Sequence, residues 1–140
     1  MTYKIREVDG DDEFDTLTEL HARTFKDGSP QPDYSEGYWW IAYYEDSPVG
    51  FLGVLQSNLG KDVGYFYRVG VDPAHRRNSL QLRLMRAMHA KARRIGWRRI
   101  VTDTNDNPSS ANNIIRAGYL MWKPNAPWSF AAAQYWEKRI

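Results

Sequence analysis

Val69-Gly70-Val71-Asp72-Pro73-Ala74-His75-Arg76-Arg77-Asn78-Ser79-Leu80-Gln81-Leu82-Arg83-Leu84-Met85 is the stretch on which the reading of this 140-residue chain turns. A run of branched residues ends at Asp72-Pro73, where proline has no N–H to give to a sheet ladder and so closes a strand. A polar loop with two arginines follows. From Ser79 to Ile95, Leu80, Leu84, Met85, Met88, Ala92 and Ile95 then recur at helical spacing. The first N–H groups of a helix lack intrahelical acceptors, and its dipole is positive at that end. Donors and positive charge therefore converge on one spot, which suits a phosphate or pyrophosphate. Crossovers that bind nothing show the same order of elements, so this stretch alone leaves both readings open.

Upstream, Val63 to Val71 is the last of three strands, after Tyr38 to Glu45 and Val49 to Gln56, which are rich in aromatic and branched residues and joined by a turn over Asp46-Ser47-Pro48. The segment Tyr38 to Val71 is thus an antiparallel meander. Before it, Met1 to Val8 alternates as a strand, and Asp9-Gly10-Asp11-Asp12 supplies turn and capping residues for a helix to about Phe25. Phe14, Leu17, Leu20 and His21/Thr24 share its inward face, so His21 reads as a packed or rim residue rather than a ligand. Lys26 to Gly37, rich in Gly, Ser, Pro and Asp, is a loop with a helical turn over Asp33 to Glu36. Downstream, Gly96 ends the long helix and Arg99 to Thr104 returns as a strand, a crossover expected to be parallel. Asn107-Pro108-Ser109 opens a short helix to Ala117, Gly118 ends it, and Tyr119 to Trp122 and Gln134 to Arg139 are the last strands. The expectation is a single α/β domain over residues 1–140 with a mixed sheet.

Charge is divided unevenly. Residues 1–70 hold 6 Lys/Arg against 13 Asp/Glu, and residues 71–140 hold 13 against 4. A basic half suits phosphates, and an acidic half suits a cationic partner such as an amine. No cysteine is present, which excludes a disulfide framework, a thiolate zinc site and a cysteine nucleophile. His21, His75 and His89 are scattered, so no metal site is expected. No apolar run reaches membrane-spanning length and the N-terminus lacks the pattern of a secretory signal; a soluble, cytoplasmic protein without membrane contact is expected. Arg76, Arg77, Arg83, Arg86, Arg93, Arg94, Arg98 and Arg99 point around the helix rather than along one stripe, and no helix-turn-helix, zinc or RNP signature accompanies them. Nucleic acid is accordingly disfavoured as a partner.

Val71-Asp72-Pro73 followed by Arg76-Arg77-Asn78-Ser79-Leu80-Gln81 resembles the GCN5-related N-acetyltransferase (GNAT) family, whose hallmark is V-D-P-x-x-R leading into R/Q-x-x-G-x-G/A. A second block, Asn107, Ser110-Ala111-Asn112 and Gly118-Tyr119, resembles the family's strand-ending Asn, short helix and closing Gly-Phe. With the meander and the N-terminal helix, the resemblance extends over nearly the whole chain. It implies a GNAT-type α/β fold: a mixed, mostly antiparallel sheet with a central parallel pair splayed for coenzyme A, flanked by about three to four helices. It implies acetyl-CoA as co-substrate, with Val69, Gly70 and Val71 pairing with the pantetheine arm. The loop amides of Arg76, Arg77, Asn78, Ser79, Leu80 and Gln81 would hold the pyrophosphate, and Asn107 and Asn112 would flank the cofactor.

Four positions depart from the family pattern. Ser79 and Gln81 stand where it has glycine or alanine, Ile114 where many members have a proton-donating tyrosine, and Tyr67 where a glutamate is common. Because positions inside a helix do not need glycine's backbone freedom, binding is expected to survive Ser79 and Gln81. Tyr67 and Asp103, with Tyr65 beside them, are the candidates to relay a proton, and a backbone N–H near Val69 to Val71 would polarise the thioester carbonyl. Tyr65 and Tyr67 share a strand face, so the plainer and preferred reading of both is as core or pocket-wall aromatics. Asp33, Tyr38, Tyr65, Trp122 and Trp128 are the candidates to line an aromatic, acidic pocket for a cationic amine, with Asp27 and Glu36 adding charge from the first long loop. The expected activity is acetyl transfer to an amine on a small molecule, peptide or protein side chain by direct attack in a ternary complex. The alternative is a degenerate GNAT fold serving as a CoA-binding or non-catalytic interaction module. A homodimer through an edge strand at Gln134 to Ile140 is a further expectation.

Overall fold

The computed structural model describes residues 2–140, so Met1 of the first expected strand lies outside the described residues. Along the chain come β1 (Tyr3–Val8), α1 (Phe14–Thr24), β2 (Tyr38–Tyr44), β3 (Ser47–Gln56), β4 (Val63–Val71), α2 (Leu80–Ile95), β5 (Arg99–Thr104), α3 (Pro108–Arg116), β6 (Leu120–Trp122) and β7 (Gln134–Arg139). They form a seven-stranded sheet ordered β1-β2-β3-β4-β5-β7-β6. Every pairing is antiparallel except β4 with β5. A mixed, mostly antiparallel sheet with three helices is the expected GNAT-type architecture.

Strands β2 and β3 are almost continuously apolar because both of their faces are covered. Leu17 and Leu20 of α1 pack on Tyr34, Trp39, Ile41 and Phe51 at one face. Leu84, Met85, Met88 and Ala92 of α2 pack on Trp40, Leu52, Phe66 and Ile100 at the other. Phe14, expected inward, is 53% exposed and only leans edge-on against Tyr34 at 6.0 Å, because it lies at the first turn of α1 before the helix reaches the sheet.

Two further expectations change. The hairpin turn is Glu45-Asp46 alone, with Glu45 left-handed at φ 54, and Ser47 already belongs to β3. Pro48 then falls at a register shift opposite Ala42/Tyr43, an irregularity that tolerates a residue without an N–H. Strand β7 is no edge strand: β5 pairs with it on one side and β6 on the other, which leaves β1 and β6 as the sheet edges. Gln134 to Arg139 is therefore paired along its whole length with β5 and from Tyr135 to Glu137 with β6, an interior strand where an edge was expected.

The feature that positions the site is a fork. β4 pairs with β5 only from Val63 to Tyr65, opposite Arg99 to Val101, yet continues to Val71. At the crotch, Thr102 Oγ1 donates to the Phe66 carbonyl at 2.8 Å. Opposite β3, register shifts at Gly53/Val54, so that Arg68 faces Gly53 and Phe66 faces Val54, leaving Tyr67 as an extra, bulged residue. The bulge swaps faces. Tyr67 and Arg68 both reach the α1 side, Arg68 stacking over Phe25 and Tyr67 at 5.1 and 5.0 Å, while Val69 and Val71 turn to pack with the α2 layer.

Candidate functional site

Beyond the fork lies a groove of about 810 Å³. Its walls are the end of α1 with residues 24–27, the end of β4, the loop into α2, the first turn of α2, and α3. Val69, Gly70, Val71, Arg76, Arg77, Ser79, Leu80, Gln81 and Asn107 all line it. In α2 the first internal acceptor is Ser79 O, bonded by Arg83 N–H at 3.0 Å. The N–H groups of Leu80, Gln81 and Leu82 precede that bond and are the free donors of the helix end, where the dipole is positive. Phosphate chemistry fits this end: three unpaired amides, Arg76 and Arg77, and no acidic residue in the first turn of α2.

The loop is built by local bonds. Asp72 accepts from Ala74 N–H at 2.9 Å and pairs with Arg23 at 3.1 Å, fixing the turn over Pro73–His75. Asn78 does not line the groove; its Nδ2 donates to the carbonyls of His75 and Arg76, at 3.0 and 3.2 Å, and holds the loop's curl. Arg77 and Ser79 are both left-handed, at φ 69 and 58, a conformation that curls loop amides into a concave anion nest. The expectation that Ser79 needs no glycine-like freedom is overturned. Ser79 sits one residue before the helix, in the region that only glycine enters without strain.

Gln81 does lie within the helix, and its side chain clasps the opposite wall: Nε2 donates to Ser110 Oγ at 3.3 Å, and Oε1 accepts from Asn113 Nδ2 at 3.2 Å. Asn113 rather than Asn112 faces the groove; Asn112 is exposed on the outer side of α3. Asn107 caps α3 by accepting from Ser110 N–H at 3.1 Å. Gly70 has a packing reason as well. A Cβ there would lie 2.3 Å from Thr24 Oγ1 and 2.7 Å from the Phe51 ring, so its bare backbone lets α1 close on β4.

A second constellation sits at the fork on the α1 side of the sheet. Asp103 Oδ1 accepts from Tyr65 OH at 2.7 Å and from Trp128 Nε1 at 2.9 Å. The Tyr65 ring stands 5.9 Å from Tyr67 and 6.1 Å from Trp128, and Trp128 stands 6.2 Å from Trp122. Burial, reinforced by the Asp103 charge, pushes the Tyr65 phenol well above its ordinary value, so Tyr65 is a fixed donor to the carboxylate. Tyr65, Tyr67, Asp103, Trp122 and Trp128 are thus brought together. Tyr38 and Asp33 are not. Tyr38 packs under α2, edge-on to Trp97 at 5.9 Å with Lys91 Nζ 4.7 Å above its ring. Asp33 is exposed and binds Ser35 within its own turn.

A model of the Acetyltransferase (GNAT) family matches residues 3–119. The chain belongs to this family. No curated protein matches its sequence. Among solved structures, a GNAT-family acetyltransferase from Staphylococcus aureus is similar with a TM-score of 0.82 at 16% identity, covering 99% of both chains. A Klebsiella pneumoniae protein assigned as an acyl-CoA N-acyltransferase gives 0.78 at 24% identity, over 99% of this chain and 97% of that one. An acetyltransferase from Bacillus subtilis in complex with CoA gives 0.77 at 13%, over 98% and 99%. At such identities the likeness shows the fold.

Within this GNAT chain, Thr24, Phe25 and Lys26 form the rim opposite α2 only because α1 ends over β4, and Asp27, expected to add charge to the acceptor pocket, lines this groove instead. The Asp27 carboxylate, held by the Ser29 hydroxyl at 2.6 Å, is kept below the usual range. Arg68 bonds His21 Nε2, and burial followed by the Arg68 charge lowers the His21 pKa, so the neutral ring accepts from the guanidinium. His21 is a packed residue, stacked on Phe25 at 4.6 Å. Among the described residues no cluster of three metal-ligating side chains occurs, and no helix is long and apolar enough to cross a membrane.

Proposed function

We propose that this GNAT protein, acting as one domain over residues 1–140 in the cytoplasm, is an N-acetyltransferase that passes the acetyl group of acetyl-CoA to an amine acceptor by direct attack in a ternary complex. The observation that carries the reading is the fork. β4 loses its parallel partner after Tyr65, and the β5-facing edge of its last turn of strand opens on a groove that ends at the free amides of α2. Acetyl-CoA supplies the activated thioester. Val69, Gly70 and Val71 offer the strand edge to its arm, Arg76, Arg77, Ser79, Leu80 and Gln81 the amide nest and charge to its pyrophosphate, and Asn107 the far wall.

Transfer joins the amine nitrogen to the acetyl carbon and breaks the C–S bond; the amine gives up a proton and the departing sulfur takes one. Asp103, with Oδ1 occupied by two donors, keeps Oδ2 for the acceptor's ammonium and its proton. Tyr67, on the bulge, is the phenol assigned to return a proton to the sulfur. A β4 backbone N–H near Val69 to Val71 is the group assigned to polarise the carbonyl. Tyr65, Trp122 and Trp128 form aromatic walls for a cationic acceptor.

The test is thiol release from acetyl-CoA across a panel of amines. Because the chain has no cysteine, every thiol detected is CoA. Turnover with cationic amines, depressed by Asp103→Asn, supports the reading. Binding of acetyl-CoA without thiol release from any amine supports instead a non-catalytic CoA-binding module, a second reading favoured by Ile114 and Tyr67, which stand where the family commonly has a tyrosine and a glutamate.

A further inference from the structure

Below the groove, between one side of α2 from Leu82 to Arg93, the end of α3 and β7, lies a separate hollow of about 280 Å³. Arg86 and Arg93 line it from α2, Arg116 from α3 and Lys138 from β7, around a floor that includes His89. No acidic residue lines it, and among the described residues none of these four cations forms an ion pair. Isolated surface arginines are commonly just solvated, but these four come from three elements to one concavity. Two local features show that the fold holds them there. Gly118 lets Lys138 in: a Cβ on Gly118 would lie 2.7 Å from Lys138 Nζ. His89 is buried against Tyr119 OH at 2.8 Å. Its pKa is pushed down to about 4 by burial first and then by Lys138 and Arg93, so the ring is neutral and adds no repulsion of its own at neutral pH.

We infer that this hollow is a binding site for a phosphate monoester, separate from the amide nest at the start of α2. Three guanidinium groups offer the paired donors that match phosphate oxygens, Lys138 offers a point charge, and the dianion relieves the mutual repulsion of all four. Two sources carry that chemistry. Leu82 and Arg116 line both this hollow and the groove, so the two are contiguous, and the 3′-phosphate of an acyl-CoA lying in the groove can enter it. A separate phosphorylated molecule can enter it from solvent. The first source rests on the acetyl-CoA reading proposed above; the second does not.

The experiment compares the wild type with Arg86→Gln/Arg93→Gln/Lys138→Gln and with the charge-matched control Lys61→Gln/Arg94→Gln/Arg98→Gln, whose residues lie outside the hollow. All are surface changes, and circular dichroism confirms the fold of each. Two titrations are read: acetyl-CoA against its 3′-dephospho form, and inorganic phosphate at constant ionic strength without any CoA. The wild type should prefer acetyl-CoA to the dephospho form by about tenfold or more, as a charge-assisted contact gives, and the hollow variant should lose the preference while the control keeps it. If the preference is absent in all three proteins but phosphate raises the melting temperature of the wild type and control and not of the hollow variant, the site stands and its ligand is a separate phosphate. If acetyl-CoA does not bind at all, the phosphate titration still decides, so failure of the donor reading and failure of this site are distinct results. The inference is overturned if neither the 3′-phosphate preference nor the phosphate effect depends on Arg86, Arg93 and Lys138.

Discussion

Replacing Ser79 offers a direct measure of how the phosphate-facing loop is held. Ser79 is left-handed, at φ 58 and ψ 26, and its side chain makes no capping hydrogen bond. For a residue with a Cβ this conformation costs about 1–2 kcal/mol. Glycine removes that strain but gives back about 0.4–1 kcal/mol through the freer unfolded chain, so Ser79→Gly should stabilise the protein by about 0.5–1 kcal/mol. For a chain of 140 residues that is a rise of roughly 2–4 °C in melting temperature. Ser79→Ala keeps the Cβ and loses only an idle hydroxyl, so it should stay within about 0.5 kcal/mol of the wild type. Ser79→Val puts a branched side chain in the same region and should lose about 1–3 kcal/mol. Urea unfolding of the four proteins gives the ranking, and acetyl-CoA titration of the same set should show Ser79→Gly binding more tightly, since it clears a Cβ from the nest. A loss of about 1 kcal/mol in Ser79→Ala would mark a working N-cap, and a Ser79→Gly less stable than the wild type would mean that Ser79 carries no left-handed strain.

Two other predictions come from the interior. His89 is protonated near pH 6.5 in the unfolded chain but only near pH 4 when folded, so in that window the unfolded state binds the proton first and stability falls as the pH drops from about 6.5 to about 4, by up to about 3 kcal/mol. Urea unfolding at pH 7 and pH 5 should show this loss in the wild type and a smaller one in His89→Gln; equal losses would exonerate His89. Gly70→Ala should destabilise by about 1–3 kcal/mol through collision with Thr24 and Phe51, and adding Thr24→Ala should recover part of it. Simple additivity of the two changes would show that α1 is not the wall that Gly70 accommodates.

Much of the fold was legible because its signals are local. The apolar period of α2, the cap Asn107 before α3 and the branched run of β4 each act over a few residues, and those elements lie where the sequence puts them to within about one residue. What escaped depends on partners far along the chain. Tyr38 reads as a pocket aromatic until β2 is seen between β1 and β3, with that residue turned under α2 toward Trp97. Residues 123–133 carry the chain past β6 and insert β7 beside β5, so an apparent terminal edge becomes an interior strand. The bulge at Tyr67 is a mismatch of register between two strands, which neither strand encodes alone. Arg68, Asp27 and Asn113 reach the site through such packing. The motif residues Arg76, Arg77, Ser79, Leu80 and Gln81 were legible because a strand, a loop and a helix start are consecutive in sequence.

In the proposed complex acetyl-CoA lies along the unpaired edge of β4 with its pyrophosphate on the first turn of α2, and amide hydrogen exchange with and without acetyl-CoA reads that placement residue by residue. Protection is predicted at Val69 to Val71 and at Arg76 to Leu82, with β1 and the far half of β2 unchanged. Tight binding that protects other amides and leaves those of Leu80, Gln81 and Leu82 exchanging as before would contradict it.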